Sequence, residues 1–188
     1  MEGALGWIGE GVRWLAKFIP RWEIIDTTHG GVKFVYGKNI KVVGPGIHWW
    51  WPLVTQFNTY PTARQANTLP PQTLMTSDGQ SVGVSALIVY EVEDIEPLVA
   101  HTFDPDNTIE DIAQAAVHDV LSQQTWDELR QGSHTRTLHT TLRQEAQKGL
   151  KPFGVRVLRV SLVDLAPCYM VRLLQATKPV IKLPELEL

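Results

Sequence analysis

Twelve residues, Ser81 to Val92, alternate between apolar and mostly small or polar side chains, with Val82, Val84, Ala86, Ile88, Tyr90 and Val92 sharing one side. A period of two is the signature of a strand with one covered face. Thr73 to Thr76 precedes it across Ser77-Asp78-Gly79, so the two segments are expected to pair as a hairpin. Shorter strands are expected at Glu23 to Asp26, Val32 to Tyr36 and Asn39 to Val43, the first two separated by a turn at His29-Gly30-Gly31. Val155 to Leu165, rich in β-branched residues, reads as one long strand.

Helices are expected between these strands. Asn107 and Glu110 have capping-box spacing, followed by an apolar stripe of Ile109, Ile112, Ala113, Ala116, Val117, Val120 and Leu121. Thr125 and Glu128 form a second box before a short helix ending near Gly132. Ser133 is placed to cap a third, with Leu138, Leu142, Ala146 and Leu150 on one side and Lys151-Pro152-Phe153-Gly154 as its stop. A last short helix is expected from Cys168 to Thr177, with Pro179 and Pro184 preventing continuation. No internal repeat or low-complexity segment is present.

Three consecutive tryptophans, Trp49 to Trp51, stand between Gly44-Pro45-Gly46 and Pro52. Gly and Pro bend and stiffen the chain, so the indoles are expected at or beside a loop. Three successive side chains do not readily face one core. Indole joins an apolar body to an N–H that needs a polar partner, which suits a membrane–water interface as well as a packed hairpin corner. Six of the seven tryptophans lie here or between Trp7 and Trp22.

The segment from Gly3 to Ile19 has helical periodicity. Leu5, Ile8, Val12, Leu15 and Ile19 recur at steps of three and four, with Trp7, Trp14 and Phe18 flanking that face. Glu2, Glu10, Arg13 and Lys17 gather opposite, and Pro20 ends the pattern. A bilayer span needs roughly 20 mostly apolar residues. Here Glu10, Arg13 and Lys17 interrupt the run, each costing at least ~2.5 kcal/mol at mid-membrane. No basic stretch and cleavage site of a secretory signal frame it. The expectation is a helix lying in the interface plane, with docking on the chain's own domain as the alternative.

Composition and motifs restrict the chemistry. The 188 residues carry a formal charge of −3, which gives no drive toward nucleic acid. Cys168, the lone cysteine, excludes an internal disulfide and fits a reducing compartment. Neither His118 beside Asp119 nor His134 five before His139 has helical metal-ligand spacing. No phosphate-binding loop, dinucleotide fingerprint or nucleophile signature is present. No cofactor, metal or catalytic residue is expected, although a triad assembled from scattered residues is recognised only in space.

Four segments in order resemble the SPFH domain shared by stomatins, prohibitins and flotillins (the band 7 family). They are Gly37-Lys38 through Gly44-Pro45-Gly46-Ile47-His48-Trp49; Thr76-Ser77-Asp78-Gly79 with the strand ending Tyr90-Glu91-Val92-Glu93-Asp94; Thr125-Trp126-Asp127-Glu128-Leu129; and Gly154-Val155-Arg156-Val157 through Val163-Asp164-Leu165-Ala166-Pro167. The likeness spans roughly Ile24 to Pro167. It implies an α+β fold in two lobes, an antiparallel sheet with packed helices, preceded by an N-terminal amphipathic membrane helix. It further implies a non-enzymatic membrane scaffold assembling into rings or cages, with the Pro-Gly loop on the membrane side. Lipid bilayer and further copies of the chain are the implied partners, with a membrane protein such as a protease as a third.

The expected organisation is therefore a membrane-anchoring helix over 1–22, an SPFH-like domain over 23–167 and a short helix and tail over 168–188. The contact residues expected at the membrane are Trp7, Ile8, Val12, Trp14, Leu15, Phe18, Ile19, Trp22, Trp49, Trp50 and Trp51. Relatives of this type continue into a long Ala- and Glu-rich helix after the last strand. This sequence instead runs into a tail with two prolines, so self-association is expected between heads, helped by Val180, Ile181, Leu183, Leu186 and Leu188. A peripheral or monotopic membrane scaffold is the leading reading. Two alternatives stay open: a regulator binding a membrane protease or transporter, and a soluble hydrolase with a docked N-terminal helix.

Overall fold

The computed structural model describes residues 19–132 and 136–168. Most of the expected N-terminal helix, the Ser133 cap and everything after Cys168 lie outside the described residues. Among these, the architecture is α+β, with nine strands in three antiparallel sheets and four helices.

The long strand β8 (Ser81–Val92) organises the larger sheet. β6 (Gln65–Thr68) and β7 (Gln72–Met75) pair in succession along one edge, and β9 (Val155–Pro167) pairs along the other. All six residues of the alternating set are buried, in one core with Leu138, Leu142, Ala146 and Leu150 of α4 (Arg136–Leu150). α4 packs on both β9 and α2 (Pro105–Ser122), whose Ile109, Ala113 and Val117 join that core. Each valine, leucine or isoleucine so buried contributes roughly 1.5–3 kcal/mol relative to exposure.

β9 slips register twice against β8, with Leu158 and Val163 as the extra residues. The first bulge changes which residues face inward: Val155 and Val157 are buried before it, Val160 after it.

Capping chemistry sets the helix starts. Thr125 and Glu128 make the expected reciprocal box: the Glu128 carboxylate accepts from Thr125 N at 2.9 Å and Thr125 Oγ1 from Glu128 N at 3.4 Å. α3 (Trp126–Gly132) follows. The box expected at Asn107 and Glu110 does not form. α2 begins earlier, with Asp104 as its cap accepting from Asn107 N at 3.4 Å and Pro105 in its first turn. An Asp-Pro pair supplies both the acceptor and the pre-set φ, so it outcompetes the later site. Glu110 instead accepts from the Asn67 side-chain amide. α1 (Ile95–His101), not anticipated in the sequence, follows β8 almost at once and is capped by Asp94.

The remaining strands come earlier in the chain. β2 (His29–Val35) lies between β3 (Asn39–Val43) and β5 (Thr55–Pro61), while β1 (Arg21–Ile25) and β4 (Gly46–Trp50) form a separate two-stranded ribbon. Arg21 and Trp22, assigned above to the anchor segment, thus open the first strand. His29-Gly30-Gly31 is not a turn but the start of β2; the turn falls at Asp26–His29, closed by His29 N to Asp26 O at 3.0 Å. These glycines admit neighbours rather than bend the chain. A Cβ on Gly31 would lie 2.5 Å from Ile25 Cδ1, 2.8 Å from Phe57 Cζ and 2.8 Å from Val43 Cγ2. At Gly30 it would collide with the Ile95 side chain, where α1 meets β2.

Candidate functional site

Pairing in the ribbon sets Trp22 opposite Trp49 and Ile24 opposite Ile47. Side chains two apart on a strand, and directly opposite across a pair, share one face. These four therefore form a continuous apolar surface, with Trp22 63% exposed, Ile24 73%, Ile47 63% and Trp49 54%. The two indoles lie together, ring centroids 4.3 Å apart and planes tilted by 35°. Ile19, Trp51 and Leu53, close to the ribbon in sequence, are also more than half exposed. Isolated exposed apolar residues need no explanation, but a clustered aromatic and β-branched face does.

The opposite face of the ribbon is held down. Ile25 is buried over Gly31, and Trp50 stacks on Phe57 with centroids 6.2 Å apart. Lys33 donates from Nζ to the Trp49 carbonyl at 2.8 Å and lies 5.8 Å from the Phe57 ring centroid. Partial burial, and Lys41 directly across the β2–β3 pair, hold the Lys33 ammonium below its usual pKa range. His48 Nε2 lies 2.7 Å from Gly44 O, tying β4 to the preceding turn. β4 is thus anchored from beneath, while its outer face is left uncovered by the described residues.

Alternation also resolves the tryptophan run. Trp49 and Trp50 end a short strand beside the loop that Trp51 opens, and they point to opposite faces. Trp50, expected to contact a membrane with its neighbours, is half-buried on Phe57, and its indole N–H is buried without a hydrogen-bond partner among the described residues. Trp51 sits just past the strand, where its carbonyl accepts from Val54 N at 3.2 Å and Thr55 N at 2.8 Å. Of the other expected contact residues, Ile19, Trp22 and Trp49 are exposed. Trp7, Ile8, Val12, Trp14, Leu15 and Phe18 lie outside the described residues, as do Val180, Ile181, Leu183, Leu186 and Leu188. Ile24, Ile47 and Lys33 were not singled out in the sequence. Reading Trp22-x-Ile24 and Ile47-x-Trp49 as two alternating strands would have found the first two.

A second arrangement joins the hairpin to α3. Thr76 Oγ1 donates to the Asp78 carboxylate and accepts from Gln80 N at 3.1 Å. Asp78 Oδ2 accepts from Trp126 N at 3.2 Å, and Ser77 N donates to Gln124 O at 3.0 Å. The hairpin tip of β7 and β8 thereby caps the helix, a use of Thr76-Ser77-Asp78-Gly79 beyond turning the chain. Among the described residues no group of three His, Cys, Asp or Glu side chains could hold a metal ion. No helix among them is long and apolar enough to cross a membrane.

Residues 23–172 match the SPFH domain / Band 7 family, and the chain belongs to that family. It is similar to an uncharacterized protein of Archaeoglobus fulgidus, 24% identical over 85% of this chain and 63% of that protein. It is also similar to Stomatin-2 of Caenorhabditis elegans, 22% identical over 87% of this chain and 45% of that protein. Stomatin-1 of the same organism is 24% identical over 82% of this chain and 47% of its own length. The chain thus spans about half the length of these two stomatins.

Proposed function

We propose that the chain is a stomatin-type membrane scaffold: non-catalytic, peripheral or monotopic, and self-associating, with its domain facing a reducing compartment. The single observation that carries this reading is the outer face of the β1–β4 ribbon, where Trp22, Ile24, Ile47 and Trp49 form an exposed apolar surface immediately after the amphipathic segment. Indoles at the rim of an apolar face match a headgroup boundary. Segment and ribbon together act as two tethered weak contacts, each raising the effective concentration of the other. Self-association adds avidity without new contacts, and the apolar tail residues supply a surface for it.

Flotation with phosphatidylcholine vesicles tests the ribbon. The Ile24→Ser, Ile47→Ser double variant is expected to float less than the parent while melting like it. In a chain keeping only Trp49, emission is expected to shift to the blue on adding vesicles and to become shielded from an aqueous quencher. Unchanged flotation together with unchanged emission removes the ribbon from the membrane and leaves its face as a surface for a protein partner. Mass photometry of the parent, and of a chain lacking Lys178 to Leu188, tests assembly; a monomeric parent ends that part of the reading.

A further inference from the structure

Between α4 and β9 runs a groove of about 480 Å³ whose ionisable lining is wholly basic: Arg136, His139, Arg143 and Arg159. Arg136, His139, Thr140 and Arg143 stand at helical steps of three and four, so they share one face of α4. Arg159 reaches the same groove from the strand. The bulge at Leu158 resets the side-chain alternation there, leaving Arg159 exposed while Val157 and Val160 stay buried. A bulge that re-aims one charged side chain toward a cluster is a common device at binding sites.

The partners of nearby cations supply the contrast. Arg156, on the same strand, lies 3.3 Å from Glu91 and 3.0 Å from Glu93, and Lys148, on the same helix, lies 2.5 Å from Glu145. Arg136, Arg143 and Arg159 have no ion pair among the described residues, and no carboxylate lines the groove. Arg159 Nε donates to Ser161 Oγ at 2.7 Å, which fixes the side chain and leaves its terminal nitrogens as donors. Converging like charges repel. One ligand relieves this: an anion with several acceptor oxygens.

We propose that this groove binds a phosphate-bearing anion, held by the guanidinium groups of Arg136, Arg143 and Arg159. Planar guanidinium groups match phosphate oxygens in pairs, and the groove is of ordinary small-ligand size. The chemistry is the same for a free phosphorylated metabolite and for a phosphorylated lipid headgroup. The site is independent of the ribbon and of the scaffold reading.

Two arms separate the sources. In the first, inorganic pyrophosphate is titrated into the full-length protein by calorimetry. In the second, flotation with phosphatidylcholine vesicles is compared with and without a phosphatidylinositol bisphosphate. The Arg143→Gln, Arg159→Gln double variant is set against Arg156→Gln, which removes a nearby paired cation. For a free anion, pyrophosphate binds the parent and Arg156→Gln alike, and the groove variant weakens it at least about tenfold. For a headgroup, pyrophosphate has little effect, while the phosphoinositide-dependent gain in flotation is lost only in the groove variant. Both side chains are exposed, so the variant is expected to melt like the parent; Arg136→Gln alone serves if it does not. Binding in neither arm, or equal loss in the groove variant and Arg156→Gln, overturns the proposal.

Discussion

Two regions of this molecule carry the same sequence pattern and meet opposite fates. In β8 the alternating apolar set is buried to the last residue, covered by α2 and α4. In the β1–β4 ribbon, Trp22, Ile24, Ile47 and Trp49 alternate as regularly and are all exposed. Alternation reports that one face of a strand prefers to leave water; it does not report what covers it. β8 is followed by helices with matching apolar stripes. Among the described residues, β2 and β5 take the ribbon's inner face and nothing covers the outer one.

The sharpest way to break this contrast is to remove a core contact beneath β8. Leu142 is fully buried in the cluster that covers the strand. Leu142→Ala is expected to cost about 2–5 kcal/mol, the range for a leucine truncated in a packed core. Urea denaturation checks it. A cost below about 1 kcal/mol would mean that the helices cover β8 only loosely.

The seam beneath the ribbon should respond next. Gly31 admits Ile25, Phe57 and Val43 to one point, and a methyl there overlaps all three. Gly31→Ala is expected to destabilise by about 1–3 kcal/mol through overpacking, and to alter the emission of Trp50 stacked on Phe57. If the melt is unchanged, the ribbon is not seated on β2 as described.

On its outer face the ribbon should tolerate what the core cannot. Trp22→Thr with Trp49→Thr keeps two good strand formers and removes one exposed ring pair, for an expected loss of about 1 kcal/mol. A loss as large as that of Leu142→Ala would show that the indoles serve folding rather than a surface. Against β8, the comparison would then collapse into a single principle of burial.

How legible all this was differs between the same regions. β8 and the Thr125–Glu128 box were readable because each signal is local: a period of two over twelve residues, and a side chain three residues from its backbone partner. Gly30-Gly31 misled because a glycine that permits close approach looks, in sequence, like one that permits a turn. The ribbon was partly legible. The tryptophans marked the place, but the distinction of Trp50 from Trp49 needed strand geometry, and Ile24 joins the face only through pairing across more than twenty residues. The basic groove was not legible at all, since Arg159 meets the α4 arginines through tertiary packing and a bulge. SPFH membership survived these errors because its motifs are spread along the chain and each holds a local structure.

The smallest expected effect tests a place where a loop motif, rather than burial, ties β8 to a helix. Asp78 accepts from the Thr76 hydroxyl and from Trp126 N, and the Thr76 bond most of all holds its carboxyl below the ordinary aspartate pKa. A depressed folded-state pKa means the unfolded chain binds the proton more tightly. The resulting stabilisation is therefore fully present above the unfolded value of about 3.9 and is lost as pH falls through the lower folded value. Asp78→Asn cannot ionise, so it is expected to melt slightly below the parent near neutral pH and to converge with it in acid. Thermal melts of both proteins across that range decide it. Parallel curves would show that the carboxylate's charge is idle and that turn geometry alone seats the hairpin on α3. A gap that closes only in acid would show that β8 is braced by a charged cap at its tip as well as by the apolar core along its length, a second support of a kind not found among the described residues of the ribbon's outer face.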